Sequence, residues 1–175
     1  MNIKTFQIVG AVFTIIFGTL LHFTYHAFDS NVWVGVFSAV NESTWEHLKL
    51  LVTPMLIFSI VEYIVYGKDI RNFIPVKFIS MLIGMIVIIV LFYTYTGILE
   101  KNYLMIDITT FFVGVICAYI FSAMTLDKKV FSSPTANTLS IAGVIILACC
   151  FVLFTFLPPQ NSLFRDSLTG IHGKK

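Results

Sequence analysis

Apolar positions along this chain gather into five long runs, separated by short polar stretches. The runs cover 5–26, 44–66, 77–99, 104–125 and 138–157. Each approximates the roughly 20 residues that a helix needs to cross a hydrocarbon core of about 30 Å. Between the first two runs, residues 32–40 are apolar but too short to cross, and they contain Trp33 and Gly35. Irregular backbone at membrane depth is tolerated only when buried in protein or lining a cavity. This stretch is therefore expected to be an interfacial or re-entrant segment folded over the bundle. After the last run, Pro158 and Pro159 stop the helix, and Leu163 and Phe164 are placed to dock back, so an ordered outer tail over 158–173 is expected. The pattern predicts an all-α integral membrane protein, a single domain over 1–175 built as a bundle of five transmembrane helices.

Composition strengthens this reading. Of 175 residues, 58% are hydrophobic and 11% charged, against roughly 25% charged in soluble domains. The first run follows Lys4, as a signal peptide would, but it is too long and no small-residue cleavage site follows it, so it reads as a retained span. Cys117, Cys149 and Cys150 all fall inside runs and form no C-x-x-C. Adjacent cysteines on a helix point about 100° apart. The three read as small apolar side chains rather than as a disulfide or zinc framework. Basic residues are sparse and unclustered, which excludes a nucleic-acid surface, and no G-x-S-x-G is present.

Charge adds an orientation. Lys4, Lys68, Arg71, Lys77, Lys128 and Lys129 flank one side of the runs; Lys49, Lys101, Arg165, Lys174 and Lys175 flank the other. The last pair lies too far from the fifth run to weigh much in the positive-inside rule. The expected topology has a cytoplasmic N-terminus and an extracytoplasmic C-terminus. All four histidines (His22, His26, His47, His172) then share the outer side with Asp29, Glu42, Glu46, Glu100, Asp107 and Asp166. Glu62, near the inner end of the second run, is expected to snorkel towards Lys68 and Arg71.

The outer side carries the candidate chemistry. His22 and His26 are spaced i, i+4, which places two imidazoles about 6 Å apart on one helix face, the geometry of H-x-x-x-H metal sites. The same rings would also suit an aromatic belt with Phe23, Tyr25 and Phe28. Ser43-Thr44-Trp45-Glu46 matches the S-x-x-E capping box, in which the Ser43 hydroxyl accepts from the Glu46 amide and the Glu46 carboxylate reaches back to the Ser43 amide. That box leaves Glu42 and His47 unexplained. Asp107 opens the fourth run, where the helix dipole favours an acid but where an intramembrane acid is also a candidate site. The tail offers Asp166, Thr169 and His172 beside two glycines.

Two passages, HFTYHAFDSNVWVGVFSAVNESTWEHLKLLVTPML and FTFLPPQNSLFRDSLTGIHG, together resemble a family of small five-span bacterial membrane proteins, mostly from Gram-positive anaerobes, catalogued as a domain of unknown function. The family pattern falls on His22, Asn41, Glu42, Ser43, Trp45, Glu46, His47, Asp166, Thr169 and Gly170, and leaves out His26. The resemblance implies the five-span architecture and no particular reaction.

Three functions fit these residues. In a metal-assisted hydrolase at the extracytoplasmic leaflet, His22 and His47 hold a divalent transition metal such as zinc. Glu42, Glu46 and Asp107 are its catalytic carboxylates, and Asn41, Ser43, Trp45, Asp166, Thr169 and His172 line the binding site. Its substrate would be a lipid or another amphiphile drawn from the bilayer. The alternative is a small-solute or cation binding or transport protein, or a membrane subunit, using the same outward carboxylates and imidazoles; it would bring in a homo-oligomer or a partner subunit. In a non-catalytic membrane factor, the polar residues serve only as caps and contacts.

Overall fold

The computed structural model describes residues 2–173; Lys174 and Lys175, counted in the charge balance, lie outside the described residues. The elements are α1 (Ile3–Ala27), α2 (Val32–Gly35), α3 (Thr44–Val65), α4 (Phe73–Leu99), α5 (Leu104–Thr125) and α6 (Pro134–Phe156), with no strand among the described residues. All but α2 are long and apolar enough to cross a membrane. The chain is a multi-pass membrane protein.

Helix starts follow local capping chemistry. The side chains of Asn2, Ser43 and Ser133 accept hydrogen bonds from the amides of Lys4, Glu46 and Ala136, satisfying N–H groups that have no partner in the first turn. Both α4 and α6 begin four residues ahead of the apolar runs that announce them. Each carries a proline in its first turn, Pro75 and Pro134, where the missing N–H costs nothing.

The central helix is α3, with 13 of its 22 residues buried, against three in α6. It packs against α1, α4, α5 and α6. Leu48, Leu51 and Met55 of α3 meet Met81, Met85 and Ile88 of α4, and Val115 and Ala118 of α5. Between apolar helices in lipid no hydrophobic force drives association, so close backbone approach at small residues matters more. At the α4–α5 crossing, a Cβ on Gly84 would lie 3.1 Å from the Gly114 carbonyl oxygen, and one on Gly114 would lie 3.0 Å from that of Gly84. Against α1, Pro54 has no N–H to offer the Leu50 carbonyl one turn back. Helix α1 passes that oxygen at Gly18, where any Cβ would collide with it. This contact sets the depth at which the two helices lie, one turn below His22.

The connection between α1 and α3 turns inward. Thr53 Oγ1 donates to the Phe37 carbonyl at 3.2 Å, and Thr53 lies nine residues into α3, about 13 Å below its start. Gly35 and residues 38–41 are buried, while Trp33 is 79% exposed. The segment thus re-enters alongside α3 instead of lying across the end of the bundle.

At the opposite end, Glu62 does not snorkel towards Lys68 and Arg71. It is fully buried. Lys77 Nζ lies 2.5 Å from its carboxylate, Gln7 Nε2 donates to it at 2.6 Å, and the Tyr66 hydroxyl donates to it as well. Lys77 in turn donates to Gln7 Oε1 at 2.9 Å. A carboxylate in a low-dielectric interior needs a close, hydrogen-bonded counter-charge, and Lys77 supplies it from within the bundle.

Candidate functional site

Three side chains from three segments converge at the end of the bundle where α1 stops and α3 begins. His22 comes from the last turns of α1, His47 from the first turn of α3, and Glu42 from the connection just ahead of it. His22 Nε2 lies 3.8 Å from Glu42 Oε1, and His47 Nε2 lies 3.3 Å from Glu42 Oε2. The three ligand atoms all lie within 4.8 Å of one another, the one such group among the described residues. Tetrahedral zinc with bonds of about 2.0–2.1 Å places its ligand atoms roughly 3.3 Å apart. His47 Nε2 and the Glu42 oxygen it faces already stand at that separation, while His22 faces the other oxygen at 3.8 Å, so sharing one metal requires the His22 ring and the carboxylate to close up.

The His47 ring is fixed by its other nitrogen. Nδ1 lies 2.9 Å from the Ser43 carbonyl, which can only accept, so Nδ1 carries a proton. Metal-bound histidines are commonly oriented by such a backbone acceptor. Nε2 is thereby aimed at the Glu42 carboxylate, and that contact is attractive only with a positive charge, a proton or a cation, between nitrogen and oxygen. The His22 ring is oriented by packing, edge-on to Phe23 at 4.9 Å and tilted against His47 at 5.2 Å, with its Nδ1 buried and unpaired.

Glu42 is gripped by the tail. Its amide donates to Asp166 Oδ2 at 3.4 Å, and its carbonyl accepts from the Ser167 amide at 3.3 Å and hydroxyl at 3.1 Å. Next to it, Asn41 Nδ2 donates to the Gly173 carbonyl at 2.8 Å. The hydrogen bond from His47 outweighs burial and holds the Glu42 carboxyl below its usual range. Burial pushes the Asp166 carboxyl up, but the amides of Thr169, Leu168 and Glu42 together hold it below its ordinary value. A carboxyl with a lowered folded pKa lends stability that is complete above its unfolded pKa, near 4, and disappears as pH falls through the folded value. Trp45 packs against Phe164 with ring centroids 5.0 Å apart and so reports tail docking. In a Trp33→Phe background, its fluorescence is expected to change only below about pH 4. An unchanged spectrum down to pH 2 would show that Asp166 does not hold the tail.

The other expected site residues divide between the cluster's support and the core. Glu46 does not complete the capping box. Ser43 Oγ accepts from its amide at 3.4 Å, but the Ser43 amide donates to Asn41 Oδ1 at 2.9 Å. The Glu46 carboxylate turns inward to Lys49 Nζ at 2.6 Å, Thr155 Oγ1 at 2.9 Å and the Val40 amide at 3.1 Å. A partly desolvated carboxylate gains more from a lysine one turn away than from one more amide. Asp107 accepts from the Tyr95 hydroxyl and is not one of the three converging side chains. Trp45 is core, packed on Phe151 and Phe154. Thr169 caps Asp166 through its amide at 2.8 Å, and His172 pairs with Arg165 across the tail.

His26 is exposed, edge-on to Tyr25, so the H-x-x-x-H pair does not form; the partner of His22 comes from α3. Sequence reading passed over Lys49, Thr155 and Tyr95, which hold the surrounding carboxylates. Their only signal was a lysine inside an apolar run, which an intramembrane acid must accompany.

A family model matches residues 1–174, and its description is a family of unknown function (DUF6512). No curated protein and no solved structure matches the chain.

Proposed function

The chain belongs to the family of unknown function DUF6512, and we propose that it is a metal-assisted hydrolase of a lipid or another amphiphile at the extracytoplasmic leaflet of a bacterial cell membrane. His22, His47 and Glu42 would supply three ligands to a divalent transition metal such as zinc, leaving a fourth position for water, as catalytic zinc sites do. Such a metal would lower the pKa of bound water to near 7. Asp107, with its Tyr95 partner, is the carboxylate left to take the proton. The observation that carries this reading is the His47 ring, anchored through Nδ1 so that Nε2 faces a carboxylate oxygen at 3.3 Å.

The proposed orientation also gains support. Lys49 and Lys77 are committed to internal ion pairs and drop out of the charge balance. Among the described residues that leaves Lys4, Lys68, Arg71, Lys128 and Lys129 on the cytoplasmic side, against Lys101 and Arg165 outside. A cation-binding or transport role would use the same ligands. It is supported by the Glu42 side chain, 36% exposed and open to the outside, and it predicts bound metal without turnover.

Elemental analysis of the detergent-purified protein is the test. Close to one transition-metal ion per chain is expected, and it should be absent from His47→Ala. No metal in either protein would remove the proposal.

A further inference from the structure

The tail covers a cavity of about 490 Å³ beside the histidine–glutamate cluster. Thr44, Phe92, Tyr93 and Asn102 line it together with tail residues 162 and 165–170. Cavity and cluster share their framework, because Asp166 and Ser167 also hold the Glu42 backbone. Phe92 and Tyr93 lie about two turns inside the outer end of α4, and Asn102 lies beyond it. The cavity thus runs from the membrane interface to about 10 Å along the span, the depth over which a headgroup gives way to acyl chains.

Its lining carries one acid and one base, Asp166 and Arg165. Both carboxylate oxygens of Asp166 are already occupied by protein amides. The Arg165 guanidinium, by contrast, makes no ion pair or hydrogen bond among the described residues. It lies along the tail against Gly170, 3.3 Å from where a Cβ would stand. Tyr93 carries a buried hydroxyl with no partner, and Asn102 adds an exposed amide. A planar guanidinium with neutral donors around it matches a tetrahedral oxyanion, to which arginine binds through two parallel hydrogen bonds.

We propose that this cavity binds the phosphate group of a membrane phospholipid, with Arg165 as counter-charge and Tyr93 and Asn102 as donors. It supplies a substrate class for the hydrolase, and rests on that reading only for the reaction; the binding itself is independent of it.

The test is native mass spectrometry of the full, delipidated chain with phosphatidylglycerol, with a diacylglycerol of the same chains, and with inorganic phosphate. Phosphatidylglycerol should be retained about tenfold or more over diacylglycerol. Arg165→Gln should abolish that preference, and Arg165→Lys should restore part of it. Equal retention of the two lipids, or undiminished preference in Arg165→Gln, would overturn the proposal. Retention of inorganic phosphate without phospholipid preference would assign the cavity to a free anion and overturn the lipid identity. Metal content separates the two readings: Arg165→Gln should keep its metal, and His47→Ala should lose metal while keeping the lipid preference.

Discussion

Replacing Lys49 with Met is expected to cost about 3–5 kcal/mol of stability, because it strands a buried carboxylate. Lys49 and Glu46 are 1% and 2% exposed, and between them they join three elements. Lys49 Nζ donates to the Gly35 carbonyl of the re-entrant segment and to Thr155 of α6, both at 2.8 Å. Glu46 accepts from the Val40 amide and from Thr155. Without the ammonium, the Glu46 charge remains in a low-dielectric site with only neutral donors, and the re-entrant segment loses its tie to α3. The double variant Glu46→Gln/Lys49→Met removes both charges and should recover most of the loss, since a buried pair is often replaceable as a unit. Thermal unfolding in detergent measures both. A single variant as stable as the parent would mean that the pair is not buried in the native protein.

Loss of the Glu42 carboxylate should have the opposite profile. Glu42→Gln is expected to cost no more than about 1 kcal/mol of stability in the presence of chelator, the worth of one part-buried contact with His47. The tail holds Glu42 through its backbone, and the α3 cap is made by Ser43. Metal affinity, however, should fall by more than the 10–100-fold typical of losing a group outside the ligand set, because an anionic ligand is removed. Titration of metal into the chelated variants separates the readings: unchanged affinity would show that Glu42 is no ligand.

The five spans were legible because hydrocarbon demands length and apolarity, and both are local properties of the chain. Ser43 as a helix start was legible for the same reason. The positions of Glu46 and Glu62 were not. Besides the lysines Lys49 and Lys77, their partners in the folded protein, Thr155 and Gln7, lie 109 and 55 residues away, and no local rule ranks such partners against nearer ones. His22 shows the same limit. Its i, i+4 neighbour suggested a pair within one helix, whereas the close crossing of α1 and α3 at Gly18 and Leu50 brings His47 to it. The tail's attachment was foreshadowed by Leu163 and Phe164, and Phe164 does dock on Trp45. Its grip on the Glu42 backbone runs through main-chain groups that side-chain identity does not announce.

That grip imposes an order on assembly. Asp166, Ser167 and Gly173 follow every span in the chain, so they are translated only after α1 and α3 are ready to insert. His22 and His47 can meet as soon as those two helices pair, but Glu42 acquires its clamp only once the last segment has been delivered to the same side of the bilayer. Until then the cluster lacks a fixed third arm. Docking of this short polar segment is therefore the step that completes the support of Glu42, and a chain stalled before it would hold all five helices without that clamp.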